Sequence, residues 1–138
     1  DVIRSALGEN AGRGVTHVHL SDPYSDEFAE VAERFAEAND AQFNTHTAYG
    51  YVTAQLIAQA IEDAGEADPQ AITEATRAIE FDTLFPNPIQ YADSGELENQ
   101  IQLYSRLSLD APSYYPDGDY SYEELYRTDP LPAIDAEQ

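Results

Sequence analysis

The chain has 138 residues, enough for one domain at most, and sets 27 acidic residues against 6 basic ones for a formal net charge of -21. That balance repels nucleic acid and anionic membrane surfaces, and the absence of cysteine excludes disulfides, thiol chemistry and cysteine-based zinc sites. All six basic residues are arginine and none is lysine. Self-repulsion of this size strains a compact state in dilute buffer. At molar salt the screening length falls to about 3 Å and the strain fades. The composition is therefore read as adaptation to high salt.

The first element expected is a strand over Gly14-Val15-Thr16-His17-Val18-His19-Leu20, which is β-branched and bounded by Gly14 and Pro23. A helix follows from about Ser25. Asp26 and Glu27 suit its positive end, and Phe28, Val31, Ala32 and Phe35 make one apolar stripe. A second helix is expected over Ala48 to Ala64, with Ala54, Ile57, Ala58 and Ile61 on one face and Gly65 as its stop. The third opens with Asp68 as cap and Pro69 at its first position, and Ile72, Ala75 and Ile79 give it an apolar edge. Then the period changes. Pro88-Ile89-Gln90-Tyr91 and Leu97 to Leu107 flank Asp93-Ser94-Gly95 as a β-hairpin, with Leu97, Ile101, Leu103 and Leu107 on one face. From Asp110 on, tyrosines, prolines and acids read as an extended, partly packed tail.

This inventory is short of strands for the helices it contains. The sequence also opens at Asp1 without methionine. A portion of a longer protein is expected.

The ordered set of features resembles a known family. It runs from Ala6-Leu7-Gly8 through the strand to Asp26-Glu27-Phe28 and Phe35-Ala36-Glu37-Ala38. Next come Ala48-Tyr49-Gly50-Tyr51-Val52, then Leu56 to Gly65, Asp68-Pro69-Gln70-Ala71-Ile72, and the turn at Asp93-Ser94-Gly95. Together these resemble the C-terminal portion of the type I periplasmic binding proteins of branched-chain amino acid, amide and urea transporters. Val52 departs from the aspartate that relatives often carry there, and Phe81 to Pro88 lacks their glycine-rich approach to the hairpin. The solute is left open by both differences.

The resemblance implies an α/β fold, part of two α/β/α lobes that close on a solute. This chain would contribute three helices, one parallel strand and a C-terminal hairpin. Residues 1–88 would be the C-terminal part of lobe 1 with its crossing strand, 89–109 the hairpin crossing back to lobe 2, and 110–138 the tail. His46, Thr47, Ala48 and Tyr49 would lie where the chain approaches the cleft, with Ser21, Asp22, Pro23 and Tyr24 near a crossing segment. The implied function is the substrate-binding component of an ABC importer, exported and anchored at the outer face of the membrane. Its partners would be a small solute such as an amino acid or amide, the permease, and the missing N-terminal portion. No cofactor is implied. A ligand-sensing receptor or regulator is a close alternative on the same fold.

Against this stands an enzyme reading. His17-x-His19 places two imidazoles on one side of a strand, as in metal-dependent amidohydrolases, with Asp22 and His46 as further ligands. Such centres draw ligands from many strands of a barrel of about 250 residues, so two histidines in a packed sheet are favoured. Asp117-Gly118-Asp119 with Glu123 and Glu124 lacks the acidic ladder of a calcium loop and reads as a solvated turn. Tyr114, Tyr115, Tyr120, Tyr122 and Tyr126 read as packing along the lobe surface, since the acidic surroundings disfavour nucleic acid. No phosphate-cradling glycine loop or nucleophile motif is present.

Helical circular dichroism is expected to grow as salt rises from dilute to molar. A signal that stays flat would overturn the salt-adaptation reading.

Overall fold

A computed structural model of the chain describes residues 16–108 and 121–133. These fall into two compact units built from interleaved stretches. One takes the described residues up to His19, Pro23–Phe43 and those of Gln102–Thr128; the other takes Leu20–Asp22, Asn44–Ile101 and the described residues from Asp129.

The first unit holds β1 (Thr16–His19), α1 (Asp26–Asn39), β2 (Leu103–Ser108) and β3 (Ser121–Arg127). Ser25 caps α1 by accepting from the Phe28 N–H at 3.1 Å, and Asp26 and Glu27 occupy the first turn. The expected stripe forms: Phe28, Val31 and Ala32 are buried and Phe35 is half-buried. Phe43, 1% exposed, closes the stripe with ring centroids 5.2 Å from Phe28 and 5.4 Å from Phe35. α1 ends on Asp40 in the left-handed conformation (φ 48°), whose N–H returns to the Ala36 carbonyl.

The sheet runs β1-β2-β3 and is antiparallel throughout. Thr16 lies opposite Arg106 and His19 opposite Leu103, while a register shift at Tyr104/Ser105 interrupts the β2–β3 pairing. Leu103 and Ser105 point inward and Arg106 outward, the alternation a pleated strand imposes. Three expectations are corrected here. β1 pairs antiparallel, so the parallel partner expected for it is not among the described residues. β2 joins β1 and β3 instead of running back along 88–91. The tail from Asp110 contains a strand, β3, which its acids and tyrosines had masked.

The second unit holds α2 (Thr45–Ala64) and α3 (Pro69–Ala78), packed against each other. Asn44 caps α2 by accepting from the His46 and Thr47 N–H groups, so the helix starts a turn earlier than Ala48. Gly65 (φ 68°) ends it. Nothing lies within 4 Å of a Cβ placed there, so glycine is demanded by conformation and not by crowding. Asp68 caps α3, accepting from the Gln70 and Ala71 N–H groups at 3.0 Å, with Pro69 in the first turn.

The expected face of α2 is also corrected. Ala48, Val52, Leu56 and Ala60 are buried, whereas Ala54, Ile57, Ala58 and Ile61 are exposed. The helix is apolar on both sides, so periodicity alone does not choose between them. The turn at Asp93-Ser94-Gly95 does form: the Ala92 N–H donates to the Glu96 carbonyl at 2.9 Å, and Gly95 has φ 85°. Around it there are only single bridges, Tyr91–Leu97 and Phe81–Ile89. Asn87 ties the base of this excursion, donating to the Asn99 carbonyl at 2.8 Å and accepting from the Ile101 N–H at 3.3 Å.

Phe43→Ala is expected to cost about 3–5 kcal/mol, because two ring partners lose their contact in a closed core. Asp68→Ala should cost about 1 kcal/mol, the usual price of an exposed cap. Urea titrations in molar salt check both, and equal losses would contradict the assignment of Phe43 to the core.

Candidate functional site

Leu20–Asp22 leads out of β1 into the second unit. Ser21 and Asp22 are buried, and the Asp22 N–H donates to the Leu84 carbonyl at 2.6 Å. Pro23 is buried in the first unit. There Tyr24 is half-buried and donates its hydroxyl to Ser105 Oγ at 2.6 Å, which satisfies the polar atom of a side chain wholly out of solvent. Of the six cleft candidates, Tyr24 thus lies in the first unit, and Asp22, His46, Thr47, Ala48 and Tyr49 lie in the second.

The start of α2 presents His46, Thr47, Ala48 and Tyr49 in sequence. His46 is exposed, and Thr47 is half-buried with its hydroxyl 3.4 Å from Asn44 Oδ1. Ala48 is fully buried, so it shapes the core and its side chain meets no solvent. Tyr49 is half-buried and meets Phe85 edge to face, with centroids 6.0 Å apart. It also lines a hollow of about 270 Å³ within this unit. Leu20, Val52, Leu56, Phe85, Ile89 and Leu97 make most of the wall, with Tyr49, Tyr91 and Thr53 completing it. An enclosure of this chemistry holds apolar groups. Sequence reasoning flagged Tyr49 but missed the hollow, because Phe85, Ile89 and Leu97 come from a loop with no periodicity. The unusual Phe81 to Pro88 stretch was the available signal.

His17 and His19 do come together, with ring centroids 4.2 Å apart and planes at 69°. His17 is exposed and His19 buried. His17 Nδ1 is 3.2 Å from His19 Nδ1 and 3.0 Å from His19 Nε2. A point almost equally far from both nitrogens of one ring lies over its face, since an in-plane approach would strike the C–H between them. Two lone pairs converging on one ion need a different arrangement. Among the described residues no group of three or more potential metal ligands occurs. The enzyme reading therefore finds no assembled centre among the described residues.

Asp117-Gly118-Asp119, Tyr114, Tyr115 and Tyr120 lie outside the described residues. Glu123 and Glu124 are engaged by arginine: Arg106 reaches Glu123 at 2.6 Å and Arg127 reaches Glu124 at 2.9 Å, both on the exposed side. Tyr104 and Tyr126 stand 6.1 Å apart across β2 and β3. Among the described residues no helix is long and apolar enough to cross a membrane.

Comparison with known proteins gives a consistent result. A family model described as periplasmic binding protein matches residues 4–106. An ABC transporter substrate-binding protein from Sphaerobacter thermophilus is similar at 23% identity and a TM-score of 0.70, over 94% of this chain and 34% of that one. A branched chain amino acid ABC transporter periplasmic ligand-binding protein from Burkholderia xenovorans LB400 gives 21% and 0.75, over 92% and 33%. A solute binding protein of an ABC transporter from R. palustris, solved in complex with benzoate, gives 18% and 0.69, over 97% and 35%. At these identities the likeness establishes the fold: a mixed α/β portion of a two-lobed binding protein. The chain spans about a third of the length of these solved relatives.

Burial, and then the His17 charge beside it, pushes the His19 pKa down from 6.5 to about 4. The unfolded chain then binds the extra proton between those values, so this contribution to stability is full above about 6.5 and is lost as pH falls toward about 4. The loss amounts to about 3 kcal/mol at most. Wild type should therefore weaken more steeply than His19→Gln over that window, and parallel pH–stability curves would refute the buried neutral imidazole.

Proposed function

We propose, from the premise that the chain belongs to the periplasmic binding protein family, that it is the closing portion of the substrate-binding component of an ABC importer. The complete protein captures a small solute between two lobes and delivers it to a permease. It works outside the cytoplasmic membrane, tethered at the outer face, with a surface adapted to high salt. The solute class is a branched-chain amino acid or an amide.

The observation that carries this reading is the family match over residues 4–106, together with the likeness in fold to the solved relatives. The chain passes between its two compact units at five points, His19/Leu20, Asp22/Pro23, Phe43/Asn44, Ile101/Gln102 and Thr128/Asp129. In this reading 1–88 completes lobe 1, 89–109 is the return between lobes and 110–138 the tail. Asp22, Tyr24, His46, Thr47, Ala48 and Tyr49 form this portion's share of the cleft. His46 and Thr47 offer polar contacts, Tyr49 an aromatic edge, and Ala48 the shape behind them. Groups that neutralise a charged end of the solute come from the remainder of the protein.

Calorimetric titration of the complete protein in molar salt with leucine, valine, acetamide, urea and benzoate tests the reading. One of the amino acids or amides is expected to bind with one-to-one stoichiometry, and His46→Ala should weaken it about fivefold, the worth of one hydrogen bond. Binding of benzoate alone would change the solute class, and no binding to any of the five would remove the reading's support.

A further inference from the structure

β2 carries Leu103 and Ser105 on its buried side, and the sequence sets Leu107 next in the same alternation. Packing alone would fill the middle of such a row with an apolar side chain. Ser105 is instead 0% exposed, and a hydroxyl so placed is costly unless it is hydrogen-bonded. Its Oγ accepts from the Tyr24 hydroxyl at 2.6 Å, across 81 positions of sequence. The register shift falls at the same residue. Tyr104 lies opposite Tyr126 and Ser105 opposite Glu124, so Leu125 has no counterpart on β2. The ladder is thus irregular where Ser105 receives Tyr24, as at sites where a sheet aims a side chain.

At the other end of the bond the backbone of Tyr24 is held on both sides. Pro23 before it is buried and has its φ fixed by its ring, and Ser25 after it caps α1. What remains to be set is the direction of the half-buried tyrosine ring, and the bond to Ser105 sets it. We propose that Ser105 is a positioning residue of the solute site, holding the Tyr24 hydroxyl so that this tyrosine offers the solute a ring of fixed direction and not a hydrogen-bond donor. The proposal rests on the reading above, in which Tyr24 belongs to this portion's share of the cleft. With its O–H donated to Ser105, Tyr24 meets an apolar part of the solute through ring carbon. A ring held in place before binding also lowers the ordering cost of binding. Ser105 itself touches no solute and acts through Tyr24.

The test is calorimetric titration of the complete protein in molar salt, with whichever of leucine, valine, acetamide, urea and benzoate binds most tightly. Ser105→Ala and Tyr24→Phe delete the bond from its two ends, and each is expected to weaken binding about fivefold, the worth of one hydrogen bond. The double variant should be no weaker than either single one, because the second change has no bond left to remove. Tyr24→Ala removes the ring as well and should lose at least about tenfold. Urea midpoints are read beside the affinities. A bond with a purely structural role would lower the midpoints and leave the affinity unmoved, and that result overturns the proposal. Losses that multiply to about 25-fold in the double variant also overturn it, since the two side chains would then act independently. Should Ser105→Ala fail to fold, Tyr24→Phe deletes the same bond from its half-buried end, and unchanged affinity there overturns the proposal. Failure of the unsubstituted protein to bind any of the five solutes removes the reading beneath, whereas binding indifferent to Tyr24→Ala overturns this proposal alone.

Discussion

The structure depends on the burial of one helix. α2 is the longest element, uncharged over most of its length, and capped at both ends, by the Asn44 side chain and by left-handed Gly65. Ala48 and Ala60 are wholly out of solvent, with Val52 and Leu56 nearly so. Burying side chains such as Val52 and Leu56 contributes about 1.5–3 kcal/mol each. Alanine at the two ends of the row lets neighbouring segments approach closely. What meets this face includes a loop with almost no secondary structure of its own. Phe85, Ile89 and Leu97 reach the same hollow as Val52 and Leu56, and Asn87 fastens the loop's base through its side-chain amide. The helix thus organises residues that have no regular pattern to organise themselves.

Electrostatics set the terms under which that burial operates. The ion pairs on the β2–β3 ribbon, Arg106–Glu123 and Arg127–Glu124, are exposed. Such pairs are worth little at any salt and less when screened. They also leave most of the 27 acids uncompensated. Salt therefore weakens the few attractive pairs slightly and the many repulsions greatly, which leaves packing and backbone hydrogen bonds as the sources of stability. His19 belongs to that packed set. It is kept neutral by burial against an exposed histidine, and it sits opposite Leu103 where a charged group would be costly.

Features decided by neighbouring residues were legible in the sequence. Ser25, Asp68-Pro69 and Gly65 marked helix ends through local backbone chemistry, and the Phe28–Val31–Ala32 stripe followed from a single apolar face. Features decided at a distance were not. Leu103 pairs with His19 and not with the 88–91 arm, a choice made by residues more than eighty positions away. The Asp93-Ser94-Gly95 turn is a true local signal that does not extend into a ladder. α2 misled because an uncharged helix offers two candidate faces, and only its surroundings select Val52 and Leu56 over Ile57 and Ile61. Among the cleft candidates, the position of Tyr49 at the mouth of a helix was legible. Its Phe85 partner was not, since nothing in a proline-flanked loop announces which way a ring turns.

The interleaving of the two units bears on how the chain is held together. Each unit takes its residues from separated stretches, so neither can be completed by a continuous cut of the chain. At one passage Phe43, locked between two rings, is followed directly by Asn44, the cap of α2. At another, Ile101 has its N–H held by Asn87 and precedes Gln102, which receives the Thr128 N–H and donates to the Thr128 hydroxyl. At both of these passages the flanking residues are held by contacts within their own unit. The candidates at the start of α2 sit within five residues of one such passage, and His46 and Tyr49 belong to the helix that Asn44 caps.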